Sequence, residues 1–143
     1  MIWIRKARRW SVKDVLFLRN LRNQEEDEPT ISLREHLKWW VHLWPLVTWL
    51  LIINGKRCGY LRVSQQGIVS IAIVRHYQGQ SLGRYLLTFG QKNKPKSVFY
   101  LKAIVRRNNL RSNHLFSSCG FEIIAQTGSH LVYSWPSRKK LAA

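Results

Sequence analysis

The spacing of apolar residues in the first third of the chain predicts one strand and two helices. Residues 1–5 alternate in the manner of an edge strand. Ser11 can cap a helix that fades near Asn23, because an apolar stripe follows the cap. Residues 32–35 (Ser-Leu-Arg-Glu) form a capping box before a second apolar stripe, and Pro45 ends that helix.

The middle of the chain predicts three antiparallel strands in succession. Residues 48–53 and 57–63 are rich in apolar side chains and flank Asn54-Gly55, a strong hairpin turn. A second turn at Gln65-Gln66-Gly67 leads into a third strand over residues 68–74.

After His76 the pattern changes to alternating helices and strands. Ser81 can cap a helix that ends near Gly90, where glycine suits a left-handed residue. Residues 98–105 predict a strand parallel to the preceding one, because a helix joins the two. The remaining predicted elements are a short helix over residues 109–119 and strands over residues 121–125 and 131–135.

This order of elements predicts an α/β fold with a mixed, mostly antiparallel sheet flanked by about four helices. At 143 residues the chain has the length of one domain. The basic composition of residues 136–143 predicts a tail after it. The longest apolar run, residues 43–53, is shorter than the roughly 20 residues of a membrane span. The N-terminus has no apolar signal segment. We therefore expect a cytoplasmic protein without a membrane partner.

Composition adds a strong positive charge, with 24 Lys+Arg against 7 Asp+Glu and a formal net charge of +17. Such a field attracts polyanions, whether nucleic acid or a phosphorylated small molecule. No helix-turn-helix, zinc-finger or RNP-type motif accompanies the charge, so nucleic acid is the least supported partner. Cys58 and Cys119 stand far apart without metal-ligand spacing, which predicts reduced thiols and no metal site.

The most informative stretch is the turn between the third antiparallel strand and the helix that follows. It reads Gln78-Gly79-Gln80-Ser81-Leu82-Gly83. N–H groups at a helix start lack intrahelical partners, and the helix dipole adds partial positive charge there. Glycine lets a ligand approach the backbone closely. The turn therefore predicts a pyrophosphate site.

This turn resembles the acetyl-CoA signature of the GCN5-related N-acetyltransferase (GNAT) family, which is Arg or Gln, two residues, Gly, one residue, then Gly or Ala. Ser81 departs from the pattern, because the family places its middle glycine there. A second match is Asn109-Leu110-Arg111-Ser112, followed by Leu115-Phe116 and Cys119-Gly120-Phe121, which is similar to a later helix of the family. The resemblance implies a single GNAT-like domain and an acetyl-CoA-dependent N-acetyltransferase.

The resemblance also implies which residues bind acetyl-CoA. Backbone groups of Ile73 and Val74 would pair with the pantetheine arm like an added strand, and N–H groups near Val74 would polarise the thioester carbonyl. The implied cofactor-binding residues are Ile73, Val74, Gln78, Gly79, Gln80, Ser81, Leu82, Gly83, Arg84 and Asn109. Further candidates for the nucleotide phosphate, with solvated surface charge as the alternative, are Arg106, Arg107 and Arg111.

Two familiar acid and base groups of the family are missing. Members often use a Glu as general base on the strand before the phosphate turn, and the matching residue is Ser70. Members often use a Tyr to protonate the leaving thiolate, and the aligned residue is Phe116. An attacking ammonium must still lose a proton, so His36 and Ser70 are the candidate catalytic residues. Alternatives are the acidic cluster 25–28, His76 and Tyr77.

The acceptor side is expected along residues 18–44. This segment is similar to the GNAT subgroup that acetylates nucleotide-linked amino sugars, through Leu21-Arg22-Asn23, Ile31-Ser32-Leu33, Glu35-His36-Leu37 and Trp39-Trp40. The candidate substrate-binding residues are Asn23, Glu25, Glu26 and Trp39. The acidic cluster can equally be a solvated turn, and Trp39 can simply shield a helix flank.

Three functions remain open from the sequence. The first is acetyl transfer to a small-molecule amine, with a protein N-terminus or lysine as the alternative acceptor. The second is a non-catalytic acyl-CoA binder of the same fold, because the usual Glu and Tyr are absent. The third is nucleic-acid binding. The sequence leaves the oligomeric state open, and exposed aromatic strands near residues 131–135 are a possible pairing surface.

Overall fold

The computed structural model describes residues 1–8, 10–24, 32, 34–35 and 46–137. The elements in this part of the chain are β1 (Ile2–Lys6), α1 (Val12–Asn23), β2 (Val47–Ile53), β3 (Lys56–Val63), β4 (Val69–Ile73), a 3-10 turn (Arg75–Tyr77), α2 (Leu82–Asn93), β5 (Leu101–Arg106), α3 (Leu110–Ser118), β6 (Glu122–Gln126) and β7 (His130–Trp135). The predicted α/β fold is confirmed. Among the described residues, no helix combines the length and the apolar character needed to span a bilayer.

The strands form two antiparallel sheets rather than one mixed sheet. Sheet A has the order β1-β2-β3-β4, and sheet B has the order β5-β7-β6. In the described part of the chain the sheets join through an isolated parallel bridge between Ile68 and Lys102, where Lys102 N–H donates to Gly67 O at 2.9 Å. The predicted parallel direction is confirmed at that bridge. Beyond it, β4 and β5 belong to separate sheets.

Local signals set several element boundaries as the sequence predicts. Ser11 Oγ accepts a hydrogen bond from Asp14 N–H at 3.3 Å, which caps α1. Asn54 and Gly55 have φ of 49° and 79°, as a two-residue hairpin turn requires. The helix over residues 109–119 is likewise confirmed and stops at Gly120, whose φ is 86°.

The predicted capping box at residues 32–35 is also present. Glu35 N–H donates to Ser32 Oγ at 3.1 Å, and Ser32 N–H donates to Glu35 Oε2 at 3.4 Å. The rest of that predicted helix, residues 36–44, lies outside the described residues.

Gly90 does not end its helix, contrary to the sequence-based expectation. The helix α2 continues to Asn93, and Gly90 lies buried inside it. A Cβ at this position would lie 2.3 Å from Leu61 Cδ2, so the glycine lets the helix approach sheet A closely.

The core consists of two apolar clusters on opposite faces of sheet A. The smaller cluster joins α1 to the sheet through Val15, Leu18, Leu21, Leu50, Ile52, Tyr60 and Ala72. The larger cluster joins α2 and α3 to the opposite face of sheet A and to sheet B. We call the face that carries Ala72 the α1 side.

Tyr133 does not offer the pairing surface that its strand suggests. It is buried and stacks on Phe116 with ring centroids 6.0 Å apart. Its hydroxyl donates to Asn113 Oδ1 at 2.7 Å. This aromatic side chain therefore stabilises the contact between β7 and α3.

Candidate active site

The edge of β4 that faces sheet B carries open backbone groups. At the end of the β3–β4 ladder, Val74 N–H donates to Cys58 O at 2.8 Å. Hydrogen-bonded pairs alternate along an antiparallel ladder, and the β3–β4 register is unbroken. Ala72 therefore also faces β3, whereas Ile71 and Ile73 direct their N–H and C=O groups toward sheet B.

The two sheets leave a gap beside this edge. They are joined at Ile68 and Lys102, and in the described residues no strand of sheet B pairs with Ile71 or Ile73. An extended ligand with amide groups can add to such an edge as a strand does. This arrangement suits the pantetheine arm that the resemblance implies at Ile73.

Val74 offers fewer free backbone groups to acetyl-CoA than the family resemblance implies. Its N–H is held by Cys58 O, and its C=O accepts from Tyr77 N–H at 2.8 Å. A Val74 N–H that polarises the thioester is thus not available in this arrangement. The backbone groups next to Val74 that face away from β3 belong to Ile73.

Two left-handed residues shape the turn before α2. Gly79 has a φ of 79°, and Ser81 has a φ of 60° although it carries a Cβ. Ser81 occupies the N-cap position, but its hydroxyl makes no capping hydrogen bond. The expected helix start at Ser81 is confirmed, but the expected capping by its side chain is wrong. The backbone conformation also explains why a glycine is the usual residue of the signature here.

Unpaired amides follow at the start of α2. The first hydrogen bond of the helix runs from Tyr85 N–H to Ser81 O at 3.1 Å. The N–H groups of Leu82, Gly83 and Arg84 therefore have no intrahelical partner. These amides and the positive end of the helix dipole lie where the sequence predicts an anion site, and both favour a bound anion.

A side-chain bridge crosses the mouth of the gap. Gln78 Nε2 donates to Ile73 O at 2.9 Å. Arg111, in the first turn of α3, donates through Nη1 to Gln78 Oε1. Arg107 points elsewhere, because its guanidinium donates to Thr127 O and to Gln126 Oε1 at 2.9 Å each. Arg111 is thus the better placed of the two for a phosphate.

Comparison with known proteins agrees with this geometry. Residues 13–121 match the model of the acetyltransferase (GNAT) family. The chain belongs to the GNAT family. This GNAT protein is accordingly an acyltransferase that uses acetyl-CoA. No curated protein matches the sequence.

Solved structures share the fold at low sequence identity. The yncA protein of Salmonella typhimurium, with its cofactor acetyl-CoA, is 20% identical with a TM-score of 0.75, covering 94% of this chain and 92% of that one. A variant of the spermidine N-acetyltransferase SpeG from Vibrio cholerae is 16% identical, with a TM-score of 0.75 and coverage of 93% and 92%. A ribosomal-protein-alanine N-acetyltransferase from Brucella melitensis is 17% identical, with a TM-score of 0.75 and coverage of 92% and 98%.

The left-handed Ser81 makes a testable prediction. We expect Ser81→Gly to raise the free energy of unfolding by about 1 kcal/mol, because a non-glycine residue in this conformation costs about that much. The matched change Ser117→Gly, in the last turn of α3, is expected to lower it by up to about 0.5 kcal/mol through helix propensity. Denaturant unfolding of both variants checks the opposite signs. A destabilised Ser81→Gly variant would show that the serine side chain has a structural role of its own.

Asn109 has a structural role at the start of α3. Its side chain accepts a hydrogen bond from Ser112 N–H at 3.2 Å, so it is the N-cap of the helix. This cap places Asn109 beside the end of β5, on the sheet B side of the gap. A contact with pantetheine remains a prediction.

The candidate catalytic residues are only partly described. Ser70 lies on β4 opposite Arg62 and is half-buried on the α1 side. Phe116 is buried in the core, with its ring centroid 5.1 Å from that of Phe121, so no acid stands at the family's usual tyrosine position. The predicted residues that lie outside the described ranges are His36, Glu25, Glu26 and Trp39. Asn23 ends α1.

Tyr77 and His76 have no obvious role as a base. A hydrogen bond with the Cys58 thiol raises the pKa of the Tyr77 hydroxyl, which disfavours the phenolate. Cys58 is buried and also donates to Lys56 O at 3.3 Å. The exposed His76 ring packs edge-on against Tyr77, with centroids 5.1 Å apart. These contacts are typical of a packed turn.

A buried carboxylate, Asp14, lies in the first helix and is not among the functional residues that the sequence predicts. Asp14 is 0% exposed and accepts two hydrogen bonds from Arg5, at 2.8 and 2.9 Å. It also accepts from Arg57 Nε at 2.7 Å and from Arg8 N–H at 2.8 Å. We call these four residues the Asp14 cluster. It joins α1 to β1 and β3.

The Asp14 cluster keeps the carboxylate charged. Burial by itself raises the pKa of this carboxyl, but the two guanidinium groups and the backbone N–H outweigh burial. The pKa of Asp14 is therefore held well below its usual range. Because every oxygen of Asp14 is engaged inside the protein, it is not a candidate base for the acceptor.

Proposed function

We propose that this GNAT enzyme acetylates the primary amine of a nucleotide-linked amino sugar. The observation that carries the transferase chemistry is the open β4 edge at Ile73 next to the unpaired amides of Leu82, Gly83 and Arg84. The edge suits the amide-containing arm of acetyl-CoA, and the amides suit its pyrophosphate. The amino-sugar acceptor rests on the resemblance of residues 18–44 to that subgroup.

The reaction is a direct transfer. The neutral amine attacks the thioester carbonyl carbon, a C–N bond forms and the C–S bond breaks. A proton leaves the amine nitrogen, and the coenzyme A thiolate takes one up. With Phe116 at the usual acid position, that second proton comes from solvent or from the acceptor amine. Proximity and orientation supply much of the rate in such a site.

The proposed residue roles are of two kinds, proton transfer and binding of the acceptor. Ser70 and His36 would pass the proton of the amine to water. Asn23, Glu25, Glu26 and Trp39 would bind the acceptor. The cationic surface, with a net charge of +17, would attract the diphosphate of a nucleotide sugar.

A second acceptor class, a polypeptide amine, is favoured by a face of sheet B that no helix among the described residues covers. Side chains of residues joined by a parallel bridge share a face, so Lys102 lies on the α1 side with Ile68 and Ala72. By alternation Ile104 lies there too, and it is 55% exposed. The described helices α2 and α3 pack on the opposite face. An acidic polypeptide with apolar side chains would suit this surface.

An acceptor panel tests the proposed function. Release of coenzyme A thiol is measured with nucleotide-linked amino sugars, with the matching nucleotide sugars that lack the amine, and with acidic peptides bearing a free or blocked N-terminus. We expect turnover only with the amino-sugar nucleotides. Turnover only with the free peptides would establish the second acceptor class instead. Tight acetyl-CoA binding without turnover on any amine would indicate a non-catalytic acyl-CoA binder.

A further inference from the structure

The side chain of Gln78 stands where a ligand amide is expected. Ile73 O points away from β3, and no strand pairs with it among the described residues, but Gln78 Nε2 donates to it at 2.9 Å. A primary carboxamide offers an N–H donor of the same kind as the amides of a pantetheine arm. Gln78 thus satisfies in the free protein an acceptor that an added strand would otherwise use.

The oxygen of the same carboxamide accepts a hydrogen bond from a cationic side chain on the other side of the gap. Gln78 follows β4 of sheet A, whereas Arg111 belongs to the helix that follows β5 of sheet B. Arg111 donates to Gln78 Oε1, so one side chain connects the β4 edge to α3. A guanidinium forms stronger hydrogen bonds with a phosphate than with a neutral amide oxygen.

An incoming cofactor must replace both of these Gln78 contacts. The cofactor's amide can replace Gln78 Nε2 at Ile73 O, and its phosphate can replace Gln78 Oε1 at Arg111. Gln78 is half-buried and Arg111 is exposed, so both side chains can rotate away without disturbing the core. Binding would then exchange one amide hydrogen bond for another of the same kind, and replace a hydrogen bond to a neutral oxygen with a charge-assisted one.

We propose that Gln78 is an internal competitor for the acetyl-CoA site. In the free enzyme its carboxamide occupies Ile73 O and engages Arg111, and acetyl-CoA must displace it from both. Gln78 thereby sets the affinity for the cofactor without contacting the reacting atoms. This inference rests on the proposed placement of acetyl-CoA beside Ile73.

The test is the affinity of Gln78→Ala for acetyl-CoA, measured by titration calorimetry, with the association rate from stopped-flow fluorescence. We expect binding to tighten about three- to tenfold, because a lost internal hydrogen bond no longer opposes the ligand. The KM for acetyl-CoA should fall by a similar factor. Weaker binding would make Gln78 a direct ligand and overturn the proposal, as would an unchanged affinity.

Two further variants separate the contacts. Gln78→Glu keeps a partner for Arg111, now with a charge-assisted pair, and loses the donor to Ile73 O. It should bind acetyl-CoA several-fold more weakly than the wild type at low salt and recover at high salt. Gln66→Ala, in the exposed turn before β4, is the matched control and should leave the affinity unchanged. A salt-independent Gln78→Glu defect would contradict the role given to Arg111.

The outcomes also separate this inference from the proposed function. If the wild type binds acetyl-CoA and acetylates an amine, the proposed function stands whatever Gln78→Ala does. If the wild type does not bind acetyl-CoA, the proposed function fails, and with it the placement on which the competitor depends. Melting temperatures of all three variants confirm that each is folded before affinities are compared.

Discussion

The Asp14→Asn variant is expected to lose about 3–5 kcal/mol of unfolding free energy, the usual cost of removing one partner from a buried ion pair. The neutral amide would leave the guanidinium groups of Arg5 and Arg57 facing each other without their shared counter-charge. It would also place an N–H₂ group against donors. Denaturant unfolding gives the change directly, and a loss of this size is a large part of a small domain's total stability.

The same carboxylate predicts how stability depends on pH. Since the folded pKa of Asp14 lies well below its unfolded value of about 3.9, its contribution is complete above about pH 5 and is lost as the pH falls. The difference in unfolding free energy between wild type and Asp14→Asn should therefore shrink as the pH drops below about 4. A difference that stays constant down to about pH 2 would show that packing, not charge, explains the loss.

Glu122→Gln is the matched control for this change. Glu122 is an exposed carboxylate on β6 whose described hydrogen bond is from Ser137 Oγ, at 2.7 Å. Its neutralisation should alter the unfolding free energy by no more than about 1 kcal/mol, as is usual for exposed polar contacts. A similar loss in both variants would mean that net charge, rather than the Asp14 cluster, governs stability.

The Gly83→Trp variant is expected to bind acetyl-CoA about 100-fold more weakly, equivalent to ~2.7 kcal/mol. Gly83 is the second residue of α2, and its N–H is one of the unpaired amides of the predicted pyrophosphate site. A Cβ added there lies 3.5 Å from a methyl of Leu115, so a larger side chain must turn outward over the amides. Titration calorimetry with acetyl-CoA measures the loss.

Two controls separate blocked binding from a damaged fold. Gly83→Ala places only a methyl group in ordinary contact with Leu115 and should keep most of the affinity. Gly128→Trp adds the same indole to a hairpin turn where a Cβ meets nothing within 4 Å, and it should bind normally. Normal acetyl-CoA binding by a folded Gly83→Trp protein would falsify the cofactor placement.

The parts of the fold that the sequence predicts are those set by neighbouring residues. The bounds of α1 follow from Ser11 and the apolar stripe behind it, and the β2–β3 hairpin follows from Asn54-Gly55. The proposed position of the anion site rests on the same kind of local signal, a small-residue turn before a helix. Each of these depends on contacts within a few residues.

The features that the sequence does not predict depend on distant contacts. Asp14 meets Arg57 across 43 positions, and nothing near Asp14 marks it as buried. A helix that joins two strands predicts that they are parallel neighbours in one sheet. Instead, β4 and β5 meet at an isolated bridge and belong to separate sheets. The chemistry of serine predicts a cap at Ser81, but the turn that contains Gly79 places Ser81 in a left-handed conformation.

The isolated bridge between Ile68 and Lys102 has a consequence for the motions of the molecule. Two sheets joined at a single β-bridge can tilt about that bridge. Backbone amides along the β4 edge that faces sheet B should therefore exchange readily with solvent deuterium. A ligand that fills the gap forms hydrogen bonds with both sheets and makes them unfold as a single unit. Acetyl-CoA should therefore slow deuterium uptake at Ile71 and Ile73 and sharpen the thermal transition, besides shifting its midpoint.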